Sequence, residues 1–267
     1  MSTATRELPP KPRTWPAVLG VIVVLVAITA AAAMPAWGGV RIDLGAIAAN
    51  WHHGASKIGQ MLRPDFGILP RTWDPLLQTL QMALVGTAIA TALSIPLSLW
   101  AARPTNPNRP ARAAVRLLLN VIRAVPDLVY AAILVAMVGV GALPGVITLV
   151  LFDIGIVAKL VSESIDSADA AYMEAGRAAG GTQTAINRTM ALPQSWPALA
   201  NQSLYALELN VRVSSILGLV GAGGLGLLID EVRTFFHYDQ LAAIIVEILV
   251  VVLVIELVSS SLRKRLA

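Results

Sequence analysis

Charge-free stretches recur along the chain, from Thr14 to Val40, Pro75 to Ala102, Leu128 to Phe152 and Thr189 to Leu207. Each comes to about the 20 mostly apolar residues that a helix needs to cross a bilayer. Runs such as VLGVIVVLVAITAAAAM and IIVEILVVVLVIELV are apolar on nearly every side. They lack the two-residue alternation of barrel strands, so the pattern predicts helices. Windows of about 20 residues place six spans, at Trp15 to Met34, Leu76 to Ala102, Ala113 to Val140, Leu143 to Ser162, Pro197 to Gly221 and Leu241 to Leu262. The expected fold is an all-α, polytopic membrane helix bundle.

Composition agrees, since 56% of the 267 residues are apolar and only 13% charged. A mean hydropathy of +0.71 is too high for a soluble domain of this length. The absence of cysteine removes disulfides, thiolate metal ligands and thiol nucleophiles. With three histidines, two of them adjacent, a histidine metal site is not expected either. The sequence pI of 9.8 could suggest nucleic acid, but the distribution of the basic residues gives a simpler reason. With both termini inside, twelve of the twenty Lys and Arg lie in inner segments or, for Arg116, in the first turn of the span that follows one. Five, Arg41, Lys57, Arg63, Arg71 and Arg233, lie in outer ones, and Arg123, Lys159 and Arg212 fall within spans. Basic residues collect on the cytoplasmic side, so the asymmetry predicts a multi-pass protein with both termini in the cytoplasm.

This gives a cytoplasmic tail over 1–14, a first span over 15–34, an extracytoplasmic segment over 35–75, a core of five spans over 76–262 with an inner loop over 167–197, and a cytoplasmic tail over 263–267. A cleavable signal peptide is the rival reading of the first span, although its apolar stretch exceeds the usual 7 to 15 residues. In the outer segment Leu44, Ile47, Trp51, Ile58 and Leu62 recur at near-helical spacing, which fits an interfacial helix or a loop packed over the bundle.

The inner stretch DAAYMEAGRAAGGTQTAINRTMALPQSWP is too polar to span and reads as helix, turn, helix. Asp169 can cap the first helix, Gly180 and Gly181 can end it in left-handed geometry, and Thr182 can cap the second. Pro193 is expected to force Leu192 out of helical geometry. The stretch resembles the inner-membrane permeases of ABC importers, whose signature is Glu-Ala-Ala, three residues, Gly, nine residues, Ile, one residue, Leu-Pro. Glu174, Ala175, Gly180, Leu192 and Pro193 match in register, while Gly176 stands for the second Ala and Met190 for Ile. The resemblance implies a type I importer permease fold in the prokaryotic inner membrane. In it this knob is the coupling helix that docks in a groove of an ATPase subunit.

From about Leu76 onward the chain is similar to phosphonate-type permeases, through LLQTLQMALVGTAIATALSIPLSLWAAR, RAVPDLVYA and ELNVRVSSILGLVGAGGLG. That implies import of phosphonate, phosphate or phosphite, delivered by an extracytoplasmic binding protein. Two ATPase subunits, which bind the ATP and Mg, would drive it under two permeases, expected as a homodimer; no cofactor is implied for this chain itself. Relatives with this loop also move methionine or other oxyanions, which leaves a second substrate reading open.

A phosphate-binding P-loop needs Gly before Lys, and none of Lys11, Lys57, Lys159 or Lys264 follows a Gly. The G-x-G-x-x-G at Gly221, Gly223 and Gly226 ends a span instead of following a strand, so it is not read as a dinucleotide site. With Gly224 these glycines permit sharp turns or close helix contact, as a hinge or gate or as plain helix termination. In the fifth span Asn201, Tyr205, Glu208, Arg212 and Ser215 share a polar stripe, with Glu208 and Arg212 at ion-pair spacing. Such groups face the bundle interior or an aqueous path, so the stripe, with Arg123 beside Pro126 and Asp127, is either a translocation path or interhelical glue. Glu247 and Glu256 lie on opposite faces of the sixth span, and Glu256 near Arg263 is a boundary residue. An ion-coupled secondary transporter would not need the inner knob, and an intramembrane enzyme would need a paired-histidine or Ser-His constellation that the sequence lacks.

Overall fold

The computed structural model describes residues 15–33, 44–169 and 171–266. The expected tail over 1–14, Met34 and Arg41 lie outside the described residues. All regular structure among those described is helical. The chain divides into two units, Met1–Ser56 and Lys57–Ala267.

In the first unit α1 (Trp15–Ala33) is apolar all round, and α2 (Leu44–Ala49) is followed by α3 (Trp51–Met61), whose second half belongs to the larger unit. The described part of the segment expected outside is therefore helical around Ile47, Trp51 and Ile58.

The larger unit is built on α4 (Leu69–Ala101) and α7 (Ala142–Ser167). The buried side of α4 is small and hydroxyl-rich, with Thr72, Thr79, Ala83, Gly86, Thr87, Ala90, Ser94 and Ser98 recurring at helical spacing. Small side chains let helices approach closely where lipid supplies no hydrophobic drive between them. At Gly86 a Cβ would stand 2.9 Å from the Leu149 Cβ of α7. Helix α4 thus begins seven residues before the start expected for the second span.

The expected third span is not one helix. It is α5 (Arg109–Ala124) and α6 (Asp127–Val138), which meet at 84°. Pro126 lacks an N–H and pushes Val125 into extended geometry, with φ −89 and ψ 126. The carbonyl this frees, on Ile122, accepts the Tyr130 hydroxyl at 3.0 Å. Counting the bent pair as one, the described residues hold up to five helices long and apolar enough to cross a membrane. The expected first span falls on α1, which has 19 residues and no charged side chain.

Beyond α7 come α8 (Ala171–Ala178), α9 (Gln183–Ile186), a π turn over Asn187–Ala191 and α10 (Leu192–Leu217). Pro193 does not break this run. Leu192 is right-handed helical, with φ −65 and ψ −49, and the proline enters just after the π turn, where Leu192 N donates to Asn187 O and the wider turn accommodates it. The second helix of the knob is therefore the base of the fifth span, in one apolar run from Gln183 to Val220.

Past the glycines an unexpected helix, α11 (Leu225–Thr234), buries Leu225, Leu228 and Val232. Last comes α12 (Tyr238–Leu266), which keeps Arg263, Lys264 and Arg265 helical where a separate tail was expected.

Candidate functional site

The knob is seated by its apolar side chains. Met173 of α8 and Ile186 of α9 are buried in one cluster with Ile165 of α7 and Ala191 and Leu199 further along the chain. Asp169 Oδ1 accepts from Ala171 N at 2.9 Å and Thr182 Oγ1 from Ala185 N at 3.3 Å, so both expected caps form. Only Gly180 supplies the left-handed turn, at φ +78. Gly181 is needed for closeness, since its N–H donates to Gly176 O at 3.0 Å and a Cβ there would stand 2.9 Å from that oxygen.

Of the signature residues, Glu174, Ala175, Gly180 and Pro193 are exposed, Leu192 is half-buried and Gly176 is buried. The two departures from the signature touch each other: a Cβ on Gly176 would lie 2.7 Å from Met190 Sδ. Met190 and Pro193 line a cavity of about 410 Å³ with Tyr172, Thr189 and Gln194.

The knob is also bolted to the turn between α4 and α5. Arg177 and Gln183 each donate to Pro104 O at 3.1 Å, and Asn187 Nδ2 donates to Thr105 O at 2.9 Å. Beside them Asp166 accepts Arg103 N and pairs with Arg116, both at 2.6 Å. Movement of the knob would therefore reach α4, α5 and α7 directly. Sequence reasoning missed these contacts because the acceptors on residues 104 and 105 are backbone carbonyls some 80 positions away, which carry no residue-type signal.

On α10 the polar stripe is divided. Glu208 and Ser215 are buried, whereas Asn201, Tyr205 and Arg212 are exposed. The expected Glu208–Arg212 pair does not form; Glu208 Oε1 instead accepts Arg263 Nη2 at 2.5 Å. The reason is that Glu208 points to the α12 side of α10, where the last turn of α12 brings a guanidinium to it. Arg123 is exposed, and its aliphatic stem runs over Gly155, where a Cβ would stand 2.5 Å from Arg123 Cγ. No hydrogen bond or ion pair links Arg123 to the stripe among the described residues.

The polar contacts that do cross the interior lie one face round. Ser203 accepts from Thr91 at 2.9 Å, and Asn210 Nδ2 donates to Thr87 Oγ1 at 2.7 Å and Asp153 Oδ2 at 2.6 Å. Asp153 and Asn210 are fully buried, which makes this a junction of α4, α7 and α10. Spacing of seven between Ser203 and Asn210 was the available signal, outweighed by the more conspicuous charges nearby. Glu247 likewise accepts from Thr72 at 2.8 Å, while Glu256 is exposed.

At the other end of α10, Gly221, Gly223 and Gly224 take φ of +92, +85 and +69, and a Cβ on Gly226 would collide with the Ser215 carbonyl. The turn is tied to α4, because Gln78 Oε1 accepts Gly224 N at 2.7 Å and Thr79 Oγ1 accepts Leu225 N at 2.8 Å. Side chains of α4 thus satisfy N–H groups at the start of α11 that the helix itself cannot. Sharp turn and close contact are both present here.

Residues 94–267 match the family model described as the binding-protein-dependent transport system inner membrane component. A phosphite transport system permease protein of Stutzerimonas stutzeri is 41% identical over 211 residues, covering 79% of this chain and 76% of that protein. A phosphate-import permease protein of Mycolicibacterium smegmatis is also 41% identical, over 209 residues, covering 78% of this chain but 39% of that longer protein. Among solved structures, an inward-facing methionine ABC transporter is similar with a TM-score of 0.69 at 20% identity, over 76% of this chain and 99% of that one, a likeness of fold alone.

Proposed function

The chain belongs to the family of binding-protein-dependent transport system inner membrane components, and on that premise we propose that it forms the membrane path for a phosphorus oxyanion, namely phosphite, phosphate or a phosphonate, in an ATP-binding-cassette importer. The observation that carries the substrate class is the 41% identity to a phosphite permease along three quarters of both chains. In this reading two partner ATPase subunits bind the ATP and Mg, a second copy of the permease completes the path, and an extracytoplasmic protein delivers the solute.

Both termini lie in the cytoplasm, as the basic residues favour, and the knob faces the ATPase. Its exposed Glu174, Ala175 and Pro193 make the contact, and the bonds from Arg177, Gln183 and Asn187 pass the movement to the bundle. The glycine turn at Gly221 to Gly226 serves as a gate or hinge at the opposite end.

Co-expression with the neighbouring ATPase and binding protein, reconstitution in proteoliposomes and assay of solute-stimulated ATP hydrolysis test the proposal. Phosphite, phosphate or a phosphonate should stimulate. Stimulation by methionine alone would refute the substrate class, and uptake driven by an ion gradient without ATP would refute the importer.

A further inference from the structure

Glu208 and Arg212 stand one turn apart on α10, in the order that favours an i, i+4 ion pair. Their failure to pair therefore calls for a cause. Glu208 is held by Arg263, 55 residues further along, at 2.5 Å, with side chains 9% and 27% exposed respectively. Arg212 is left exposed, with neither a hydrogen bond nor an ion pair among the described residues.

Hydrogen bonds fix the depth of this free cation. Thr91 meets Ser203 and Thr87 meets Asn210, so α10 runs antiparallel to α4 with those residues opposite one another. Two residues past Asn210, Arg212 lies level with Val85 of α4, one turn beyond the Glu208–Arg263 pair. A guanidinium within a spanning run is costly against hydrocarbon and instead faces water or an anion. The planar fork of arginine also matches a tetrahedral oxyanion with two parallel hydrogen bonds.

Resting on the reading of the chain as an oxyanion permease, we propose that Arg212 is an oxyanion-binding residue of the path and that Arg263 is a positioning residue, which keeps Glu208 from neutralising it. Without Arg263, the nearest cation on α10 for the Glu208 carboxylate is Arg212, one turn away. The carboxylate then competes with the solute for the same guanidinium. The Glu208–Arg263 pair ties α10 to α12 and, by the same contact, leaves a positive charge vacant one turn away on α10.

The test uses the whole importer in proteoliposomes, with labelled phosphite and phosphate at saturating binding protein, and reads uptake rate and assembled yield together. Loss of a charge-assisted contact corresponds to a drop of roughly tenfold or more in uptake for Arg212→Gln. Arg212→Lys should fall between that variant and the wild type. Arg263→Gln should assemble yet lose uptake like Arg212→Gln, and adding Glu208→Gln to Arg263→Gln should restore uptake. Rescue separates the proposal from a purely structural ion pair, whose double removal recovers yield without a charge-specific change in rate. Normal uptake in Arg263→Gln, or a double variant no better than the single, overturns the positioning role. Failure of both Arg212→Gln and Arg212→Lys to assemble would place Arg212 at the contact with a second copy and overturn the binding role. A defect that follows anionic lipid content instead of solute would assign the guanidinium to a headgroup, with the same consequence. A wild-type importer that moves no oxyanion would refute the substrate reading itself.

Discussion

The helical run that contains α10 is held in two places by different chemistry. At the knob, Gln183 and Asn187 reach out to the backbone carbonyls of Pro104 and Thr105, and the side chains that make these bonds are half-buried. About three quarters of the way along, Asn210 bonds Thr87 and Asp153 in a junction from which solvent is excluded. Loss of a bond that water can replace costs about 1 kcal/mol, whereas an abandoned partner in a dry interior keeps its full desolvation cost. The knob's bonds should thus give way singly and the junction only as a block.

The contrast breaks first at the junction. Asp153→Leu removes the buried carboxylate that accepts from Asn210, leaving that amide only Thr87, and should destabilise the protein by about 3 kcal/mol. It should be visible as a collapse of folded yield or of the thermal midpoint in detergent, with Asp153→Asn recovering most of it because a polar partner remains. An unchanged midpoint in Asp153→Leu would show that the junction is not a rigid block.

Gly180→Val probes the knob. Nothing lies within 4 Å of its added Cβ, so the whole effect is the left-handed backbone, about 1–2 kcal/mol. The bundle should insert and fold, while the ATPase fails to co-purify. Gly180→Asn should do less harm, since asparagine tolerates that geometry. A smaller effect is expected from Gln183→Ala and Asn187→Ala, about 1 kcal/mol each and less than additive, because the two side chains also bond each other at 2.8 Å. Solute moved per ATP hydrolysed should fall before stability does; the reverse order would argue that the knob, too, is structural.

Legibility in the sequence divides along the same line. Apolar runs revealed the long helices because lipid demands them of any span, and the knob was legible because Glu174, Gly180 and Pro193 recur in a fixed register. Tertiary choices were not legible. Pro126 and Pro193 look alike in sequence, yet one stands at an 84° break and the other continues a helical run, because Val125 turns extended before Pro126 whereas a π turn before Pro193 accommodates the ring. The Glu208–Arg212 spacing was a sound local expectation that Arg263 overrides from 55 residues away. Asn210 and Asp153 were passed over since a polar residue in an apolar run reveals its importance only through its partner.

The finest distinction lies within the knob, where Gly176 and Met190 depart together from the signature Ala and Ile. If the departures are a fitted pair, each should be worse alone than with the other. Gly176→Ala puts a Cβ 2.7 Å from Met190 Sδ and 3.2 Å from Ile186 Cγ1. Gaining a better helix former favours the change by up to about 1 kcal/mol, but crowding of the thioether opposes it, so the net effect should be near zero or slightly harmful. Met190→Ile alone removes the flexible side chain that fills the space over Gly176 and should cost about 1 kcal/mol. Made together, the two changes restore the signature, and the propensity gain is then no longer opposed by the sulfur. A double-mutant cycle on thermal stability should therefore give a favourable coupling of about 0.5–1 kcal/mol, the range expected for residues in contact. Additive effects would mean that Met190 simply swings aside, as the far end of an unbranched side chain can, and that the two departures arose independently.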